Sequence, residues 1–194
     1  MGRTELMLSI PMVLMLSGAV AAQPIDEASC SACSATYVGA EEILEYLKVG
    51  GLDQQVRSVD VGRSNVQIAL VHRGRLEQPA GVAEHDLVTE VYYVIAGSGT
   101  SLTGPDLVDA TPRLSTNTAV QRLNGPGHNA AAIRNGVTHE LTPGDVLVIP
   151  AGTGHQFTRI DNYITYLMVR VDPDKVVPLM DEADSREYLE ENLR

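Results

Sequence analysis

Residues 144–157 read GDVLVIPAGTGHQF, and the punctuation of this stretch decides the fold class. Val146 to Ile149 is an apolar run of strand length, Pro150-Ala151-Gly152 breaks it as a turn, and His155 and Phe157 begin another period-two segment. Working outward, the same pattern recurs. Val66, Ile68 and Leu70 alternate with Gln67, Ala69 and Val71, and further strand candidates are Leu87 to Ala96, Gly99 to Thr103, Val137 to Leu141 and Tyr163 to Val171. Gly97, Gly104 and Pro143-Gly144 separate them. Short strands punctuated in this way predict an all-β barrel or sandwich over residues 54–172.

The composition agrees with that class and excludes several functions. At 194 residues the chain has the size of one domain. With one Phe and no Trp, its core must be aliphatic. A net charge of −11 repels phosphate backbones and anionic lipid heads, so nucleic acid is not an expected partner. Seventeen glycines and ten prolines exceed what helix interiors tolerate and serve turns instead.

The flanks read differently. Residues 1–22 place Arg3 ahead of an apolar run, Leu6 to Val20, that ends in Ala19-Val20-Ala21-Ala22, the pattern of a secretory signal peptide. The run is shorter than the roughly 20 residues a membrane span needs, so the expected product is secreted or periplasmic, without a stable membrane anchor after cleavage. Residues 23–53 form a spacer that carries Cys30 and Cys33 as CSAC. No strand precedes this pair as a thioredoxin-type redox unit would require, so a local disulfide or a mobile spacer is expected. A short amphipathic helix follows from Gly39 to Leu47, with Ile43, Leu44 and Leu47 on one stripe and Gly50-Gly51 as its stop. Residues 173–194 predict a frayed acidic helical tail. Gly104 to Gly136 holds no period, and a connection of that length is either functional or disordered.

The chemistry-bearing residues lie in the strands. In AEHDLVTEVYYVIAGSG, from Ala83, His85 and Glu90 precede a hairpin at Gly97 and Gly99, while His155 follows the turn at Gly152. Imidazole and carboxylate suit Fe, Mn, Ni, Zn or Cu, and two His with one carboxylate leave coordination positions for water, substrate or dioxygen. Period two puts Tyr92 on the face of Glu90, and Phe157 and Arg159 on that of His155. Tyr92 is thus a candidate general acid, Phe157 an apolar substrate wall and Arg159 a cation for a substrate carboxylate. By the same alternation Glu84 turns away from His85. His72 reads as a core histidine beside Leu70 and Ile68, and neither His128 nor His139 has a ligand spacing.

At these residues the sequence resembles the cupin superfamily. Its second motif, G-x5-P-x-G-x2-H-x3-N, is met by Gly144, Pro150, Gly152 and His155, with Arg159 at the final Asn. Its first, G-x5-H-x-H-x(3,4)-E-x6-G, is met by His85, Glu90 and Gly97, with Ala83 at the other His and Glu77 at the leading Gly. The resemblance implies a small jelly-roll barrel, a divalent transition metal held by His85, Glu90 and His155, a small-molecule ligand and a homodimer. The activity it implies is dioxygenase-like or Lewis-acid chemistry. The alternative is a non-enzymatic small-molecule-binding or structural cupin, since cupins with an altered first motif include ones without metal.

Overall fold

A computed structural model describes residues 28–193 of the chain, and the expected signal peptide, residues 1–22, lies outside them. Helix α1 spans Ala40–Val49 and is followed by β1 (Asp53–Asp60), β2 (Asn65–Gly74), β3 (Val82–His85), β4 (Thr89–Gly97) and β5 (Gly99–Gly104). The chain continues through β6 (Asp106–Val108), β7 (Thr111–Pro112), a π-helical turn (Val120–Asn124), β8 (Gly127–Ala130) and β9 (Ala132–Arg134). It closes with β10 (Val137–Leu141), β11 (Val146–Ile149), β12 (Gly154–Arg159), β13 (Tyr163–Asp172) and α2 (Glu182–Asn192).

One antiparallel sheet has the order β1-β2-β13-β4-β11, the other β10-β5-β12-β3-β8-β7, and β6 pairs with β9 in a separate ribbon. The expected barrel is realised as two facing sheets, a jelly-roll sandwich. Alternation explains the core: Val71, Val94, Ile149, Ile164 and Met168 turn inward from the first sheet and meet Phe157 from the second. The same sheet buries a second cluster on its outer side, where Val56 and Leu70 pack under Tyr46 of α1 and Leu189 of α2.

The acidic C-terminal tail is therefore not frayed. Asp181 caps α2 through a capping box with Asp184, Ser185 donates its hydroxyl to the Val56 carbonyl, and the Tyr188 ring stacks on Tyr46 at 5.9 Å. Its acidic residues obscured the packing face because the helix buries only Ser185 and Leu189. The connection 104–136 is likewise folded: β8 pairs with β3 and extends the second sheet. Strands of two to four residues are too short to display a period, which is why alternation did not reveal them. Cys30 and Cys33 form a local disulfide with Cα atoms 5.4 Å apart.

Candidate metal centre

The inner faces of both sheets converge on His85, Glu90 and His155. His85 ends β3, Glu90 follows the turn into β4, and His155 enters β12 beside β3; all three are buried. Each offers a ligand atom within 4.8 Å of the others. His85 Nε2 lies 3.4 Å from Glu90 Oε1, and His155 Nε2 lies 3.5 Å from Glu90 Oε2. Around an ion with bonds of about 2.1 Å, neighbouring ligand atoms stand roughly 3.0 Å apart in an octahedron and roughly 3.4 Å in a tetrahedron, so each histidine stands near ligand spacing from its own Glu90 oxygen.

The surroundings prepare two of these groups as ligands. His155 Nδ1 faces the Thr153 carbonyl at 3.2 Å and must donate to it, which leaves the Nε2 lone pair aimed at the centre. Burial pulls the His155 imidazole down to about 4, offset in part by Glu90, so it is neutral near pH 7 as ligation requires. Burial alone would raise the Glu90 carboxyl, but His85, Arg170 and His155 outweigh it and hold the group well below the usual carboxylate range. Tyr92 donates its hydroxyl to Glu90 Oε2 at 2.9 Å, and Arg170 donates from Nε to Oε1 at 3.2 Å. Burial, reinforced by Glu90, keeps the Tyr92 phenol well above its ordinary value and therefore protonated.

Two further residues come from the stretch that shows no period. Asn124 sets its amide nitrogen 3.3 Å from His85 Nε2, and its buried Oδ1 has no hydrogen-bond partner among the described residues. Amide oxygen and nitrogen exchange places on a half-turn, so this orphaned acceptor is a donor atom for an ion beside His85. Arg113 acts in the opposite sense. Its two terminal nitrogens lie 3.4 and 3.5 Å from His85 Nδ1, and a guanidinium only donates. In that arrangement His85 carries its proton on Nε2, facing Glu90 Oε1, and the Asn124 amide has to present oxygen rather than nitrogen to it. Ligation through Nε2 requires Arg113 to move off Nδ1.

Several expectations change here. Arg159 does not enter the cavity: β12 bulges between Phe157 and Arg159, alternation fails, and the side chain is exposed beside Glu140 at 3.5 Å. Phe157 is buried in the core and lines a small cavity next to His155. Arg73 supplies the cation that Arg159 does not, with its guanidinium carbon 5.3 Å from the centre of the Phe157 ring. His72 is turned out to Thr165, and Glu84 accepts from His128 rather than approaching the centre.

The profile of the AraC-like ligand binding domain matches residues 133–193, which include the Gly144-to-His155 motif. With the jelly-roll sandwich and the convergent His85, Glu90 and His155, this match supports a cupin-type fold. The fold is that of the cupin superfamily. Solved structures similar to this chain include a protein from Bacillus halodurans, 16% identical, covering 72% of this chain and 82% of that one at a TM-score of 0.41. A cupin protein from Bacteroides fragilis is 16% identical over 58% of this chain and 70% of its own, with a TM-score of 0.36. A DMSP lyase from Ruegeria pomeroyi is 15% identical over 63% of this chain and 50% of its own, at 0.38. No curated protein sequence matches the chain.

Proposed function

We propose that this cupin is an exported protein that holds one divalent transition metal at His85, Glu90 and His155 and acts on a small molecule in the adjoining cavity. The observation that carries the reading is the convergence of three buried ligand atoms, with the Asn124 oxygen unpaired among the described residues beside them. When bound, the ion supplies Lewis acidity and open positions for a substrate oxygen or dioxygen. The protein's own residues would do the rest. Thr153 fixes the His155 tautomer, Tyr92 and Arg170 hold Glu90 in place, and the buried rings of Phe157 and Tyr166 keep bulk water from the inner wall. A homodimer belongs to the same proposal. Edge strand β11 and its neighbour β4 leave Val146, Val148 and Tyr93 exposed side by side, an apolar strip on which a second copy can pair.

Elemental analysis of natively purified protein tests the metal. About one equivalent of Fe, Mn, Ni, Zn or Cu is expected, lost in His155→Ala. No bound metal, together with no uptake of added Fe, Mn, Ni or Zn, would reject the reading. A second reading, a metal-free ligand-binding cupin, is favoured by one observation: the proton that Arg113 places on His85 Nε2 closes a hydrogen-bonded cluster around Glu90 without an ion.

A further inference from the structure

Beside His155 a cavity of about 40 Å³ is lined by Arg73, Ala83, Tyr92, Ser101, Gln156 and Phe157 among others, none of them a carboxylate. A water occupies roughly 10–15 Å³ on this measure, so the space takes about three waters or one small organic group. It exists because β3 presents Ala83, and not an imidazole, opposite His155.

Arg73, like Arg113 at the rim, is a half-buried cation with no ion pair among the described residues. Among the described residues the two buried arginines each meet an acid: Arg57 pairs with Glu42, and Arg170 with Asp53 and Glu90. Half-buried Arg73 has no carboxylate within 4 Å among the described residues. Its hydrogen bond runs from Nε to the neutral Tyr166 hydroxyl at 3.1 Å, while Phe157 supports the guanidinium plane. Anchored at Nε and at its face, the fork keeps both terminal nitrogens for another partner. That is the arrangement that binds a carboxylate through two parallel hydrogen bonds. Burial disfavours the Arg73 charge and the surrounding Tyr166, Tyr92 and more distant Asp53 offset it, while no carboxylate among the described residues takes the two terminal nitrogens that an anionic ligand would engage.

We propose that this cavity is a subsite for a small carboxylate, its head held by the Arg73 guanidinium and its other end facing His85, Glu90 and His155. The first half of the assignment stands on Arg73; the second rests on the metal reading above. Ser101 and Gln156 offer neutral polar contacts on one wall, and Ala83 gives the ligand room between the arginine and His155.

Calorimetric titration of the full, natively purified protein with acetate and its neutral isostere acetamide tests the assignment, with metal content measured on the same samples. Wild type should bind acetate at least about tenfold more tightly than acetamide, the worth of a charge-assisted hydrogen bond. Arg73→Gln should abolish that preference with metal content unchanged, and Arg73→Lys, which keeps charge but not the fork, should retain part of it. Equal binding of the two probes by wild type, or undiminished acetate binding by Arg73→Gln, overturns the carboxylate subsite. Metal present with no dependence on Arg73 sinks the subsite and leaves the metal reading standing. Arg73-dependent acetate binding in a protein that takes up no metal does the reverse. Should neither arginine variant fold, as judged by thermal denaturation, the acetate-to-acetamide comparison in wild type decides.

Discussion

His155 and Ala83 are direct partners across β12 and β3, so the methyl group of Ala83 stands beside a candidate metal ligand on the same sheet face. The cupin motif has histidine at this position. Ala83→His should therefore add an imidazole next to His155 and tighten metal binding by about tenfold or more, as read by competition with a chelator of known affinity. The same change fills the cavity, so acetate binding should fall as metal binding rises. Unchanged metal affinity would show that the methyl position does not face the ion.

Asn124 reaches His85 from a different element. If its unpaired Oδ1 turns to the ion, Asn124→Ala should weaken metal binding by about tenfold to a hundredfold, and Asn124→Asp should restore or exceed the wild-type affinity at neutral pH. Equal affinity in all three proteins would remove Asn124 from the site.

The strand residues of the centre were legible because period two and motif spacing both constrain them: Glu90 and Tyr92 share a face of β4, and His155 follows its turn at a fixed distance. The same rule carried one strand further reaches Arg170, on the inward face with Ile164, Tyr166 and Met168, and Arg73, two residues beyond inward Val71. Both cations were readable in principle. Arg159 misled because a bulge reverses alternation and leaves no mark in the sequence. Asn124 and Arg113 were not readable, since a five-residue π-helical turn and two-residue strands carry no period, and only tertiary pairing of β8 with β3 brings them to His85.

Arg170 is fully buried between Asp53 and Glu90, with Gln55 accepting from Nη1 at 3.1 Å. Asp53 and Glu90 more than reverse the effect of burial and raise the guanidinium above its ordinary value. Arg170→Met matches the stem but leaves two carboxylates without their counter-charge, so unfolding free energy should drop by about 3–5 kcal/mol. Chemical denaturation measures it. A loss under about 1 kcal/mol would mean that Glu90 finds its compensation elsewhere.

His128 provides a pH signature at the rim. Its hydrogen bond to Glu84 at 2.9 Å, with Asp86 at 3.1 Å, raises the imidazole above its ordinary 6.5. Because the folded value is the higher one, the protonated pair favours the folded state fully below about pH 6.5, and the benefit is lost as pH rises through the raised value. NMR titration should find His128 above 6.5 in wild type and closer to 6.5 in Glu84→Gln, which removes the main cause. Titration of wild type at or below 6.5 would refute the pairing.

Arg113 joins this rim to the centre. One of its terminal nitrogens donates to the carbonyls of Glu84 and His128 while both approach His85 Nδ1. While the guanidinium stays there, His85 keeps a proton on Nε2, the atom an ion would take, so arginine and metal compete through one imidazole tautomer. Arg113→Gln can donate to the same carbonyls and also accept from Nδ1–H, which permits a bare Nε2. Metal affinity should then rise by about tenfold or more in the variant, with the gain seen by chelator competition and the tautomer read from the His85 nitrogen shifts. A fall in affinity would mean that Arg113 orients His85 for the ion, and the competition between them would have to be abandoned.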